Sequence, residues 1–366
     1  MSAASPMLHI DLGRQWRGGQ RQCALLCQRL ATAGERVELC VRRGSALERV
    51  EALSAVPRHT LRVAGEADPL AILHLARLLR RLQPGLIAVH EAHGLALALL
   101  ARRLAGGVRP VVYHRRIDVA PRGGLASRWK LQGVALFICV SRGVAAVLQD
   151  SGIGADRIRI VHDGVPTAER LPGAGELLRA QLGFGAGVPV IGTVGGLIPH
   201  KGHAVLLTAF RELLATNPGC HLVIVGSGPL LAALREKAEG LGVASRVAFL
   251  GEREDALTLL GGFDLFVLPS LTEGLGSSIL DAFALEVPVV ATRTGGIPEL
   301  LTAGETGWLA DPGSAGSLAS VMDEALTDPQ RARAMTQAAH ARFQERFTDA
   351  AMAAATLDVY REVLAG

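Results

Sequence analysis

A glycine-containing loop that carries one carboxylate lies between an apolar run and a helical pattern in the second half of the chain. Phe266–Leu268 is short and apolar enough for a buried strand, and Pro269–Gly276, with Glu273, follows it. Ser277 is expected to cap the next helix. Backbone N–H groups at such a helix start bind anions or hydroxyl-rich ligands, and glycine lets a ligand approach closely. The residues expected to present these groups are Gly274, Leu275, Gly276 and Ser277.

A second carboxylate, Asp281, is predicted about one turn inside this helix. Helical side chains lean toward the N-terminus, so Asp281 is expected to point back toward the loop that Glu273 borders. Two carboxylates suit sugar hydroxyls, whereas the N–H groups of the loop suit a phosphate. The segment alone fits equally well a capped helix with two solvated acids, so the function depends on the rest of the chain.

A cationic helix start forms a second candidate site. The strand predicted at Val190–Val194 leads into GGLIPHKGH, in which Lys201 and Gly202 open a helix. A lysine beside a helix N-terminus favours phosphate, and Gly195 and Gly196 would let the loop close on a diphosphate. The order G-x4-G-K-S/T is absent, which excludes a P-loop.

Two groups in the first half also follow predicted strands. Gly18 and Gly19 open a helix after the first strand, and His114 follows a later one. Open α/β sheets bind ligands at the carboxyl ends of their strands. An ordinary turn and a structural histidine are the simpler interpretations. Weaker histidine candidates are His90 and His93.

Apolar runs that alternate with helical patterns predict an α/β protein, and 366 residues favour two domains. The Pro- and Gly-containing run between Asp163 and Pro189 is expected to be a linker. The predicted strands are Leu8–Asp11, Val37–Val41, His59–Val63, Leu86–His90, Val111–Tyr113, Phe137–Val140, Ile158–Val161, Val190–Val194, Leu222–Val225, Val247–Leu250, Phe266–Leu268 and Val289–Ala291.

The net charge of +4 hides a split between the two halves. Residues 1–165 carry 24 Lys and Arg against 12 Asp and Glu (+12), and residues 166–366 carry 14 against 22 (−8). The first half therefore favours an anionic partner. Nucleic acid is not expected, because aromatic residues are only 4% and no recognition motif is present. A membrane surface or a phosphorylated glycolipid fits better.

The segment Leu70–Leu82 is apolar on one side and carries Arg77, Arg80 and Arg81. It is either a packed surface helix or a helix that lies on an anionic lipid surface. No run approaches the ~18 apolar residues of a membrane span, and the N-terminus does not resemble a signal peptide. We therefore expect a cytoplasmic protein, with peripheral contact with the inner face of the membrane as the open alternative.

Five scattered cysteines are expected to be buried, reduced thiols, because their spacing completes no metal site. The sequence likewise has no D-x-D pair suited to holding a metal. We expect neither a metal nor a cofactor.

The segment from Phe266 to Pro288 resembles the E-x7-E segment of the retaining family-4 glycosyltransferases (glycosyl transferases group 1), of the bacterial lipopolysaccharide and polysaccharide type. The phrase ICVSRGVAAVLQDSGI…RIRIVHDGVP is similar to the end of that family's first domain, and the resemblance extends to Tyr360. It implies the GT-B fold, with two Rossmann-like domains whose parallel sheets face across a cleft. The implied parts are an acceptor-binding domain (1–165), a nucleotide-sugar-binding domain (166–345) and a C-terminal helix that packs back on the first domain (346–366).

The resemblance also implies roles for the residues of the second half. Glu273 would contact the transferred sugar, Asp281 would hold the ribose, and Lys201 would stabilise the leaving diphosphate. The base would bind near Arg253. The chain departs from the family pattern at Asp281, where the family has Glu, and at Gly196, where it usually has Arg.

In the first half, the resemblance implies that His114 faces the reacting sugar and that Gly18 and Gly19 lie between the donor phosphates and the acceptor. The implied activity is metal-independent transfer, with retention, from a nucleotide diphosphate-sugar, UDP-sugar above all, to a glycan or glycolipid acceptor of the cell envelope. Two alternatives stay open. One is an isomerase similar to UDP-sugar 2-epimerases, and the other is a catalytically silent nucleotide-binding scaffold.

Overall fold

A computed structural model describes residues 5–121 and 123–365. The chain forms two compact units. Unit 1 runs to Gly164 and includes the C-terminal helix from Asp349, and unit 2 comprises Val165–Thr348. Each unit has one parallel sheet with helices, so the predicted α/β fold class is confirmed.

Unit 1 contains a seven-stranded parallel sheet in the order β3-β2-β1-β4-β5-β6-β7. Every residue of β1 and β4 is buried, as expected for strands covered on both faces. The strands are β1 (Met7–Asp11), β2 (Val37–Arg42), β3 (Arg58–Leu61), β4 (Leu86–Val89), β5 (Val111–Arg115), β6 (Leu136–Cys139) and β7 (Ile158–Ile160), and the helices are α1 (Gly18–Thr32), α2 (Pro69–Leu82), α3 (Ala92–Leu104), α4 (Leu125–Gln132) and α5 (Arg142–Asp150).

Unit 2 contains a six-stranded parallel sheet in the order β10-β9-β8-β11-β12-β13. Its strands are β8 (Val190–Val194), β9 (His221–Val225), β10 (Val247–Gly251), β11 (Leu265–Leu268), β12 (Val289–Thr292) and β13 (Trp308–Ala310). Its helices are α6 (Ala174–Leu182), α7 (His203–Leu213), α8 (Leu231–Gly240), α9 (Ala256–Gly261), α10 (Ser277–Ala284), α11 (Ile297–Leu300), α12 (Ala315–Thr327) and α13 (Pro329–Arg346).

The C-terminal helix, α14 (Asp349–Ala365), belongs to the core of unit 1. Met352 and Tyr360 are buried in the same apolar cluster as residues of α1 and of the sheet. At its start, Asp349 accepts a hydrogen bond from Arg29 of α1 at 2.7 Å. The predicted return of this helix to the first domain is therefore confirmed.

Two local predictions were wrong, and one strand was not predicted. The run expected to be a linker contains α6, which lies within unit 2 between Gly173 and Gly183, both at positive φ. The short strand β13 was not predicted. The residue that caps α10 is Gly276, at φ +92°, and Ser277 is the first helical residue. Glycine adopts this left-handed conformation readily because it has no Cβ, so it takes the capping position. Ser277 lies one residue inside the helix, and its hydroxyl is not in the capping position.

Candidate active site

The side chains of Lys201 and Glu273 meet in unit 2. They lie in the loops that follow β8 and β11, which are neighbours where the order of the sheet reverses. Ligands of open parallel sheets bind at this place. The Lys201 Nζ donates to Glu273 Oε2 at 2.5 Å, and the Ser270 hydroxyl donates to the same oxygen at 3.0 Å. The sequence predicted both residues, and the structure brings them together.

The two loops also contact each other through their backbones. Leu271 N–H donates to the carbonyl oxygen of His200 at 2.7 Å. Gly202 has φ +69°, and a β-carbon at this position would lie 1.9 Å from the carbonyl oxygen of Pro269. Only glycine fits there, because the backbone of the neighbouring loop occupies the space of a side chain.

The remaining glycines of the β8–α7 loop leave the backbone accessible. Among the described residues, no heavy atom lies within 4 Å of an ideal β-carbon at Gly195, and none lies nearer than 3.9 Å at Gly196. The Gly195 N–H is already bonded to Val225 O at 2.9 Å. The helices α7 and α10 both start from glycines, Gly202 and Gly276, so the N-cap residues have no side chain that could bond the first N–H groups. This surface can accept an anion.

Asp281 and Arg253 lie on other elements of unit 2. Asp281 is buried on α10, with 6% of the residue exposed. Arg253 is exposed after β10 and is bonded to Asp255 at 2.8 and 2.7 Å. Their assignments to the ribose and the base stay predictions.

His203, the first residue of α7, was not singled out in the sequence. It is 3% exposed, and burial together with the charge of Lys201 lowers its pKa to about 4. The imidazole is therefore neutral near pH 7. In the sequence, only the position of His203 directly after Lys201 and Gly202 could have indicated that it lies at this site.

In unit 1, His114 lies in a buried cluster of polar rings. Its Nε2 is 2.6 Å from the Tyr360 hydroxyl of α14, and its ring stacks on His90 at 4.3 Å. Burial, with the nearby Arg116 charge, lowers the pKa of His114 well below its usual value. His114 is 3% exposed, and its role at the reacting sugar stays a prediction.

Arg116 fixes the tautomer of His90 in this cluster. Its Nε donates to Asp163 at 2.9 Å, and its Nη1 lies 3.2 Å from His90 Nδ1. A guanidinium only donates, so His90 Nδ1 accepts and a neutral His90 carries its proton on Nε2. This Nε2 is 2.9 Å from His9 Nδ1, which therefore accepts. His93, the other weaker candidate, is exposed and pairs with Glu66 at 2.9 Å.

The Gly18–Gly19 turn opens α1 after β1, again where the order of a sheet reverses. Among the described residues, no atom lies within 4 Å of an ideal β-carbon at Gly19.

The five cysteines are buried free thiols, as predicted. No helix among residues 5–121 and 123–365 is long and apolar enough to cross a membrane.

Two family models match consecutive parts of the chain. The model "Glycosyltransferase Family 4" matches residues 16–169, and "Glycosyl transferases group 1" matches residues 175–342. Together with the two parallel sheets, they show that the chain belongs to the family-4 glycosyltransferases of the GT-B fold.

Relatives share parts of the chain. A GDP-mannose-dependent alpha-(1-6)-phosphatidylinositol monomannoside mannosyltransferase of Mycolicibacterium smegmatis is 35% identical over 202 residues, 53% of this chain and 50% of that protein. The lipopolysaccharide core biosynthesis glycosyltransferase LpsE of Rhizobium meliloti is 29% identical over 232 residues, 63% of this chain and 64% of that protein. The chain thus spans between half and two thirds of the length of these relatives.

Solved structures agree with the fold over nearly the whole chain. Anabaena HepE, in complex with UDP and glucose, has a TM-score of 0.87 at 21% identity and covers 98% of this chain and 100% of its own. WaaG, a glycosyltransferase involved in lipopolysaccharide biosynthesis, has a TM-score of 0.72 at 18% identity over 95% of this chain and 98% of its own.

Proposed function

We propose that this chain transfers a sugar from a nucleotide diphosphate-sugar to a glycan or glycolipid acceptor in cell-envelope synthesis, without a metal and with retention at the anomeric carbon. The Lys201–Glu273 pair carries the proposal. It joins a cation suited to a diphosphate with a carboxylate suited to sugar hydroxyls, in two loops that each lead to a helix with a glycine N-cap. Family membership supports the same assignment.

The chemical task is to stabilise the negative charge that develops on the leaving diphosphate. Lys201 and the N–H groups at the start of α7 would supply this stabilisation, because preorganised donors act most strongly where water is excluded. Glu273 would orient the sugar through its hydroxyls. In this mechanism the acceptor attacks from the side of the leaving group, and the diphosphate takes the proton of the acceptor hydroxyl.

The donor base has two candidates. UDP is our first choice, and HepE, the structural neighbour, binds UDP-glucose. GDP is the second, because the mycobacterial relative is GDP-mannose-dependent. We expect one of UDP, GDP, ADP and CMP, or its sugar conjugate, to raise the thermal midpoint by several degrees, since a ligand at a hundredfold its Kd adds about 2.7 kcal/mol. No shift with any of them would contradict the nucleotide site.

Unit 1 supports an anionic, amphiphilic acceptor. Exposed apolar side chains follow β1 and β5, at one edge of the sheet: Trp16, Ile117, Val119 and Leu125 are 40, 51, 63 and 86% exposed. Exposed arginines, Arg14 and Arg17, lie beside Trp16 in the chain. Exposed apolar side chains together with exposed arginines suit a glycolipid with an anionic headgroup.

Replacing Arg77, Arg80 and Arg81 of α2 by alanine is expected to weaken binding to vesicles of anionic phospholipid. All three arginines are exposed, and each cation near such a surface contributes about 1 kcal/mol. Vesicle co-sedimentation at low salt measures the effect. The matched control replaces three exposed arginines of unit 2: Arg211, Arg331 and Arg333. Equal binding by both triple variants would contradict membrane contact through α2.

The isomerase and the scaffold remain distinguishable from the transferase. An isomerase would convert the nucleotide-sugar into a second nucleotide-sugar when the donor is supplied alone. A scaffold would bind the nucleotide but release none of it from the donor. Analysis of the products with donor alone, and then with a glycolipid extract added, separates the three activities.

A further inference from the structure

The segment that ends β12 and leads into α11 is bonded to the loop that carries Glu273. Thr292, the last residue of β12, donates its hydroxyl to Ser270 O at 2.5 Å. Two residues later, the hydroxyl of Thr294 donates to Leu271 O at 3.0 Å. These are side-chain bonds to consecutive carbonyls of the neighbouring loop, so they fix its backbone and not merely its side chains.

The glycines that follow contact Glu273 itself. Gly296 N–H donates to Glu273 O at 3.1 Å. Gly295 has φ +52°, and a β-carbon there would lie 1.7 Å from the same oxygen. The approach of the two backbones therefore requires glycine at residue 295.

We propose that the segment Thr292–Gly296 positions the Glu273 carboxylate, with Thr294 and Gly295 as positioning residues. The inference deepens the proposed function and rests on it for the meaning of Glu273. With its backbone oxygen held, Glu273 keeps only side-chain rotations, and Ser270 and Lys201 restrict those. Supporting groups of this kind keep a reactive group within a fraction of an ångström of its working position.

The test compares Thr294→Val, which removes the hydroxyl at nearly constant shape, with Thr294→Ser, which keeps it. Release of nucleotide from UDP-glucose and from GDP-mannose is measured with a glycolipid extract added as acceptor. Thr294→Val is expected to lower kcat about 10- to 100-fold with KM nearly unchanged, because misplacement affects the reacting geometry more than binding. Thr294→Ser is expected to stay near wild type. Thr327→Val is the matched control, since it removes a hydroxyl bonded to a helix carbonyl at 2.8 Å in α12.

Two further measurements exclude a merely structural effect. In a Glu273→Gln background, Thr294→Val should add little further loss of kcat, because the group that it positions is already altered. The coupling between Lys201→Met and Glu273→Gln, measured as non-additive shifts of the thermal midpoint, should shrink in Thr294→Val and persist in Thr294→Ser. This second measurement needs no turnover.

The outcomes separate the two proposals. A wild-type kcat in Thr294→Val, fully additive losses with Glu273→Gln, or an unchanged Lys201–Glu273 coupling would each overturn the positioning role. A wild-type chain that releases no nucleotide from any donor would instead contradict the proposed transfer. The coupling measurement would then still decide whether Thr294 positions Glu273.

Discussion

Replacing Glu273 by glutamine is expected to slow the proposed sugar transfer about 10²- to 10³-fold, the usual effect of losing one preorganised polar group. The amide has nearly the same shape but lacks the charge that Lys201 Nζ contacts at 2.5 Å. Glu273 is half-buried, and glutamine keeps its shape and an oxygen for the Ser270 hydroxyl, so the fold should be retained. The measurements are the initial rate of nucleotide release and the thermal midpoint.

Two comparisons make this prediction specific. Glu239→Gln removes the charge of an exposed glutamate on α8 and should leave the rate unchanged. The double variant of Lys201→Met with Glu273→Gln should be much less impaired than the product of the single losses, because residues in direct contact act as a unit. A Glu273→Gln variant with wild-type turnover would remove Glu273 from the mechanism.

The sequence was informative where the signal is local. A short apolar run followed by glycines marks the carboxyl end of a parallel strand, and in such sheets these ends share one edge. That rule places both Lys201 and Glu273, 72 residues apart, at this edge of the second sheet, whereas only the family resemblance assigned them to one donor. Short apolar runs likewise predicted twelve strands of the two sheets, and slightly more than half of the strand ends differ from the prediction by one or two residues.

Contacts that depend on packing across the sheet had no such signal. Nothing in the segment around Thr294 indicates that its hydroxyl bonds Leu271, because the register of two loops is set by the whole sheet. The same holds for the bond of Tyr360 to His114, which spans 246 residues. The helix α6 was missed because glycine and proline near its ends indicate a loop, whereas here Gly173 serves as a boundary at positive φ.

Replacing Gly202 by alanine is expected to lower both stability and activity. A residue with a β-carbon at φ +69° costs about 1–2 kcal/mol. The added methyl would also lie 1.9 Å from Pro269 O, a backbone atom at the start of the Glu273 loop. Overpacking adds about 1–3 kcal/mol to the loss of stability. The two loops must move apart to relieve the clash, and this movement shifts either Lys201 or Glu273.

Gly183→Ala separates these two contributions. Gly183 also has φ +69°, but within the described chain no atom lies within 4 Å of its ideal β-carbon. Gly183→Ala should therefore lower the thermal midpoint modestly and leave nucleotide release unchanged. Gly202→Ala should lower the midpoint further and reduce nucleotide release about 10²-fold, as expected for a displacement of roughly 1 Å. Equal effects of the two substitutions would show that the contact between the two loops does not support the site. A greater loss in Gly202→Ala would show that the backbone fit between Gly202 and Pro269 sets the geometry of the Lys201–Glu273 pair.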